Sequence, residues 1–125
     1  MTKDPKAVVE RAFACLNEHD LDAYYALCAD DFTYTGMTTT RGRDVARQID
    51  AAAFAALPDH WRRVERILVS GDTVAVWLVF GGTSPATGEP FEIEFCDVFE
   101  VREGLIQSIT MYADWPALLQ QIGAG

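Results

Sequence analysis

A chain of 125 residues, half of them hydrophobic, is long enough to close one core and is far from the composition of a disordered segment. Its net charge of −9 argues against nucleic acid as a partner, because phosphate binding needs a positive field. No apolar run reaches the roughly 18 residues of a membrane span. Met1-Thr2-Lys3-Asp4-Pro5 also lacks the apolar stretch of a signal peptide, so a cytoplasmic protein without a membrane partner is expected.

Asp4 before Pro5 reads as a helix start, an N-cap followed by proline at the first helical position. Val8, Val9, Ala12, Phe13 and Leu16 recur at helical spacing and predict an amphipathic helix over 5–18. Asp20 reads as the N-cap of a short helix through Cys28. Phe32 to Thr35 reads as a short strand and Gly36 to Thr40 as a loop. Gly42-Arg43-Asp44 opens a third helix, with Val45, Ile49, Ala52, Ala53, Ala56 and Leu57 as its expected buried stripe and Pro58 as its stop.

Beyond Pro58 the pattern turns strand-like. Trp61–Val69 and Thr73–Phe80 flank the turn Ser70-Gly71-Asp72, and Gly81 to Pro90 reads as a wide connection. Phe91–Val101 follows, then the turn Glu103-Gly104, the strand Leu105–Ala113, and a final helix near Pro116 that runs to Ile122-Gly123. Helices first and a four-strand antiparallel meander after them predict one α+β domain over 1–125, with helices covering one sheet face.

The stretch Phe91–Val101 carries the main chemical signal. Phe91, Ile93, Phe95, Phe99 and Val101 alternate onto one face and Glu92, Glu94 and Glu100 onto the other. Asp97 breaks the rule by falling on the apolar face. A carboxylate there is paired with an Arg or a backbone amide, sits at a bulge, or opens into a pocket as an acid, since an unpaired buried charge is too costly.

Cys15, Cys28 and Cys96 are an odd number without a CxxC spacing and read as free thiols. His19 and His60 belong to no zinc-type spacing, so no metal is expected. Two basic clusters, Arg41/Arg43/Arg47 and Arg62/Arg63/Arg66, read as solvated or salt-bridged faces.

Three stretches resemble the opening of ketosteroid isomerases and their relatives: Val8-Val9-Glu10-Arg11, Leu16-Asn17 with Asp20-Leu21-Asp22, and Ala29-Asp30-Asp31-Phe32. Asp97-Val98-Phe99-Glu100-Val101-Arg102-Glu103-Gly104-Leu105-Ile106 resembles the strand and turn of that family. Asp114 with Leu118 to Gly123 resembles the tail of SnoaL-like polyketide cyclases. The resemblance covers nearly the whole chain and implies the cone-shaped nuclear transport factor 2-like fold, whose helices and curved antiparallel sheet enclose an apolar pocket.

Residue by residue, the resemblance puts Asp97 where the isomerases hold a protonated Asp that donates to a dienolate oxygen. Ala12 and Gly36 stand where those enzymes carry a Tyr and a proton-shuttling Asp. Against the cyclases, Asp97 falls at a His and Met111 at the catalytic Asp. Asp114 is then either the N-cap of the last helix or a second acid.

The walls implied by resemblance and alternation are Leu78, Phe80, Phe95, Phe99, Ile109 and Met111. Tyr34 and Tyr25 are the nearest polar partners, and Trp61 and His60 lie near the mouth. The implied activity is an isomerase or cyclase of lyase type, free of any cofactor, with Asp97 moving protons on an apolar carbonyl compound. The alternative is a non-catalytic binder of a hydrophobic metabolite in the same pocket. A homodimer is expected through the outer sheet face, where Ala75, Trp77, Val79, Cys96 and Val98 form an apolar strip.

Overall fold

The computed structural model describes residues 3–122. Three helices come first: α1 (Pro5–Asn17), α2 (Leu21–Ala26) and, after strands β1 (Cys28–Thr35) and β2 (Thr39–Arg41), α3 (Arg43–Ala55). Four long strands follow, β3 (Trp61–Ser70), β4 (Thr73–Thr83), β5 (Pro90–Arg102) and β6 (Leu105–Ala113), and α4 (Trp115–Ile122) ends the described chain. The expected helix end at Gly123 lies outside the described residues.

The meander β3–β4–β5–β6 is antiparallel throughout, as the alternation predicts. The β5–β6 hairpin closes on two residues, Glu103 and Gly104, both at positive φ (55° and 78°) between the paired Arg102 and Leu105. That is the backbone of the turn whose twist matches a hairpin, and Gly104 takes it without strain.

The sheet has six strands in the order β2-β1-β6-β5-β4-β3. β1 lies parallel to β6, so the sheet is mixed where the sequence reading has it wholly antiparallel. β1 also starts four residues earlier than expected, and β2 forms inside the stretch read as loop. Both differences arise from long-range pairing: β1 finds its partner some 75 residues downstream (Thr33 to Ser108), and local pattern carries no trace of that. Bulges at Cys28/Thr33, Val64/Arg66 and Glu100/Val101 bend the strands.

α1 packs on β3, β4, β5 and β6 and buries Val8, Val9, Ala12, Phe13 and Leu16 as expected, with Phe13 edge-on to Phe99 at 5.7 Å. Each such large side chain taken from water contributes roughly 1.5–3 kcal/mol. Asp20 caps α2 by accepting from the Ala23 N–H at 3.0 Å.

α3 corrects the sequence reading. Val45 and Ile49 are half exposed, Ala52 and Ala56 face out, and Ala46 and Leu57 are buried. The inward face is rotated by about one residue, to Ala46, Asp50, Phe54 and Leu57. The cause is Asp50, whose carboxylate turns inward to the Tyr25 hydroxyl, so a polar residue occupies a position that the hydrophobic pattern assigns to solvent.

Candidate functional site

On β5 the pairing register sets Asp97 between Val76 of β4 and Met111 of β6, with Phe95 and Phe99 two residues away on the same face. None of these four side chains donates a strong hydrogen bond. Asp97 is 6% exposed, and its Oδ1 is buried without a hydrogen-bond partner. Burial pushes its pKa up to about 7, with the nearby Arg62 pulling the other way.

Asp97 opens into a cavity of about 150 Å³. Strands supply Tyr34, Leu78, Phe80, Phe95, Phe99, Ile109 and Met111; the helices supply Leu16, Tyr24, Asp50, Phe54, Trp115, Leu118 and Ile122. The lining is mostly apolar. Its charged or ionisable members besides Asp97 are Arg62, Asp50, Tyr24 and Tyr34.

Arg62 is the second residue of β3 and is held at both ends. The Asn17 side chain accepts from the Arg62 backbone N–H at 2.7 Å and donates to its carbonyl at 2.9 Å. The guanidinium lies over Phe54 and Phe80, 5.0 and 4.8 Å from the ring centroids, and Nη1 donates to His60 Nδ1 at 3.1 Å. His60 is buried, stacks on His19 at 4.1 Å, and is held neutral by burial and by Arg62, its pKa lowered to about 4. A neutral ring is what accepting from an arginine requires.

Asp50 accepts a hydrogen bond from Tyr25. Burial raises the Asp50 pKa, while the Tyr25 bond and Arg62 lower it. Burial likewise raises the Tyr34 phenol, with Asp50 and Asp97 adding to the effect. No hydrogen bond joins Tyr34 to Asp97 among the described residues.

Asp97, Tyr34, Leu78, Phe80, Phe95, Phe99, Ile109 and Met111 thus share one cavity. Three other expectations are placed elsewhere. Tyr25 does not line the cavity; it stands behind it, bonded to Asp50 and edge-on to Tyr24, which both do. Trp61 lies on the other face of β3, its ring against Gly81, because alternation turns it away from Arg62. Asp114 caps α4 by accepting from the Ala117 N–H at 3.1 Å and is exposed, outside the cavity lining.

Arg62 and Asp50 are the members that sequence reasoning misses. For Arg62 the obstacle is the bulge at Val64/Arg66, which switches the inward positions of β3 from odd (Ile67, Val69) to even (Arg62, Val64). For Asp50 a signal exists: it stands four residues from both Ala46 and Phe54, a carboxylate on an apolar helix face, the same anomaly that singles out Asp97 on its strand.

The SnoaL-like domain model matches residues 9–109. The chain belongs to the SnoaL-like domain family. Solved structures agree in fold. IdmH of Streptomyces antibioticus, a candidate polyketide cyclase, is 25% identical and superposes with a TM-score of 0.83 over 96% of this chain and 99% of its own. A candidate SnoaL-like polyketide cyclase from a Jannaschia species is 20% identical, with a TM-score of 0.84 over 97% and 92%. An NTF2-like protein from Burkholderia pseudomallei is 16% identical, with a TM-score of 0.87 over 98% of both chains. No curated protein matches the sequence. The fold is therefore the NTF2-like α+β cone of ketosteroid isomerase-like proteins, and no described helix is long and apolar enough to cross a membrane.

Proposed function

We propose that the cavity is a substrate site in which Asp97 exchanges a proton with an apolar carbonyl compound, giving isomerisation, cyclisation or dehydration without a cofactor. The observation that carries this reading is the buried, unpartnered Oδ1 of Asp97 in an apolar cavity. A structural Asp is normally held by donors; here burial, opposed by the nearby Arg62, sets the carboxyl near neutrality, where it takes and returns protons with little cost. Such a group typically contributes about 10²–10⁴-fold in rate. Membership of a family with cyclase-type neighbours supports the same class.

The test is deuterium uptake at the α-carbon of enolisable ketones, beginning with beta-tetralone, in deuterium oxide. The reading expects protein-dependent exchange that Asp97→Asn abolishes. Undiminished exchange in Asp97→Asn sinks the mechanism. Saturable binding of the ketone with no exchange sinks it too, in favour of a carrier of hydrophobic metabolites.

In this reading the protein works as a homodimer in the cytoplasm. Support for the compartment comes from three free cysteines. Support for the dimer comes from the outer sheet face, where Leu68, Trp77 and Tyr112 are exposed at 48%, 38% and 60% beside Ala75, Cys96 and Val98. A monomeric mass by light scattering at micromolar concentration contradicts the dimer.

A further inference from the structure

We infer that Arg62 is the catalytic partner of Asp97: its guanidinium binds the substrate oxygen that gains negative charge while Asp97 holds the proton. This rests on the acid/base reading of Asp97, which takes over the proton-shuttling role that Gly36 cannot fill, and supplies the oxyanion donor that the Tyr-to-Ala12 replacement leaves missing.

The geometry is specific. Arg62 carries five N–H donors. One goes to His60 Nδ1, and the side chain is in no ion pair with a carboxylate among the described residues. The guanidinium lies over two aromatic rings and lines the cavity that Asp97 faces. A half-buried cation with unused donors and a buried carboxyl with an unused oxygen, both facing one apolar space, are complementary to a ligand that has an acceptor oxygen and an acidic C–H. The titratable groups around Arg62 are Tyr24 of α2, Tyr34 of β1, Asp50 of α3, His60 before β3, and Asp97 of β5. Asp50 has its own donor in Tyr25, and His60 is neutral, which leaves the guanidinium as the cation of the cavity.

The step balances within these groups. The Asp97 carboxylate takes the α-proton. The C–H pair becomes the new C=C bond, and the carbonyl π pair moves onto oxygen. That oxygen accepts hydrogen bonds from Arg62, which keeps all its protons. Asp97 then returns its proton to the same or a conjugated carbon, and the carbonyl reforms. Asn17 and His60 act as positioning residues, the first on the Arg62 backbone and the second on its head group.

The experiment uses para-nitrophenol, whose phenolate is coloured and mimics an enolate oxygen. Wild-type protein is expected to take it up as the phenolate at a pH where the free probe is mostly neutral. Arg62→Gln is expected to lose this preference by about ten- to a hundredfold, the range of one hydrogen bond to a charge. Arg62→Met, which keeps the apolar stem over Phe54 and Phe80, repeats the test if the Gln variant folds poorly.

Uptake of the neutral phenol by wild type overturns the assignment. So does no uptake at millimolar probe, and so does phenolate uptake that survives both substitutions. Asp97→Asn keeps phenolate uptake while losing α-proton exchange. Exchange surviving in Asp97→Asn sinks the acid/base reading alone, and loss of phenolate uptake in the Arg62 variants still identifies the anion anchor.

Discussion

Arg62 and Asp97 line one cavity yet form no salt bridge among the described residues. The separation matters physically. A closed pair would hold Asp97 ionised and use up the donors of Arg62. An open pair leaves burial as the dominant influence on Asp97 and leaves both groups free for a third party. The first consequence concerns stability and pH.

Asp97 should make the fold less stable as pH rises. Its folded pKa is raised from 3.8 to about 7. Below pH 4 both folded and unfolded states carry the proton, so the group contributes nothing. Between about 4 and 7 the unfolded chain releases it and the fold keeps it, so stability falls across that window and stays low above it. At 1.36 kcal/mol per pH unit the full effect is roughly 4 kcal/mol. Urea denaturation of wild type and Asp97→Asn at pH 4.5 and at pH 8 checks this: the variant should gain on wild type at the higher pH.

Tyr25→Phe should destabilise by about 1–3 kcal/mol, because it strips the half-buried Asp50 carboxyl of its donor. Burial already raises Asp50 and the Tyr25 bond opposes it, so the variant pushes Asp50 further up. The loss should therefore be larger at pH 8 than at pH 5. Denaturation at the two values reads both parts.

Asp114→Ala should cost about 1 kcal/mol, the worth of an N-cap, and leave α-proton exchange intact. A fall in exchange well beyond the loss of folded protein would instead make Asp114 a second acid. Thermal melts and the exchange assay on one sample separate the two.

Gly81→Ala should displace Trp61, because a Cβ at position 81 would lie 2.3 Å from its ring. Overpacking of this kind costs about 1–3 kcal/mol. The Trp61 indole signal in the nitrogen-proton NMR spectrum should move, since the ring also leaves the Arg63 guanidinium 5.5 Å away.

The strands and their faces were legible wherever pattern is local. Phe91 to Val101 shows its buried face by alternation, and Asp97 stands out on it because a single carboxylate interrupts five apolar residues. Legibility ended where a residue's direction depends on distant pairing. Arg62 turns inward because of a bulge two residues on, and β1 takes its parallel place beside β6 from across the chain. Asp50 was readable in principle, as an acid on the face of Ala46 and Phe54, but Val45 and Ile49 beside it gave the louder and misleading apolar signal. Asp114 was half legible: its spacing to a helix start predicts a cap, and the same spacing matches an acid in the family tail.

The central claim is that Asp97 is a dry, unpaired acid facing the cavity. The measurement that tests it most directly is the titration of its carboxyl carbon by NMR, assigned by loss of the signal in Asp97→Asn. A midpoint near 7 is the expected result. A midpoint at or below the ~3.9 of a free aspartate would mean a solvated or paired carboxylate and would contradict the claim.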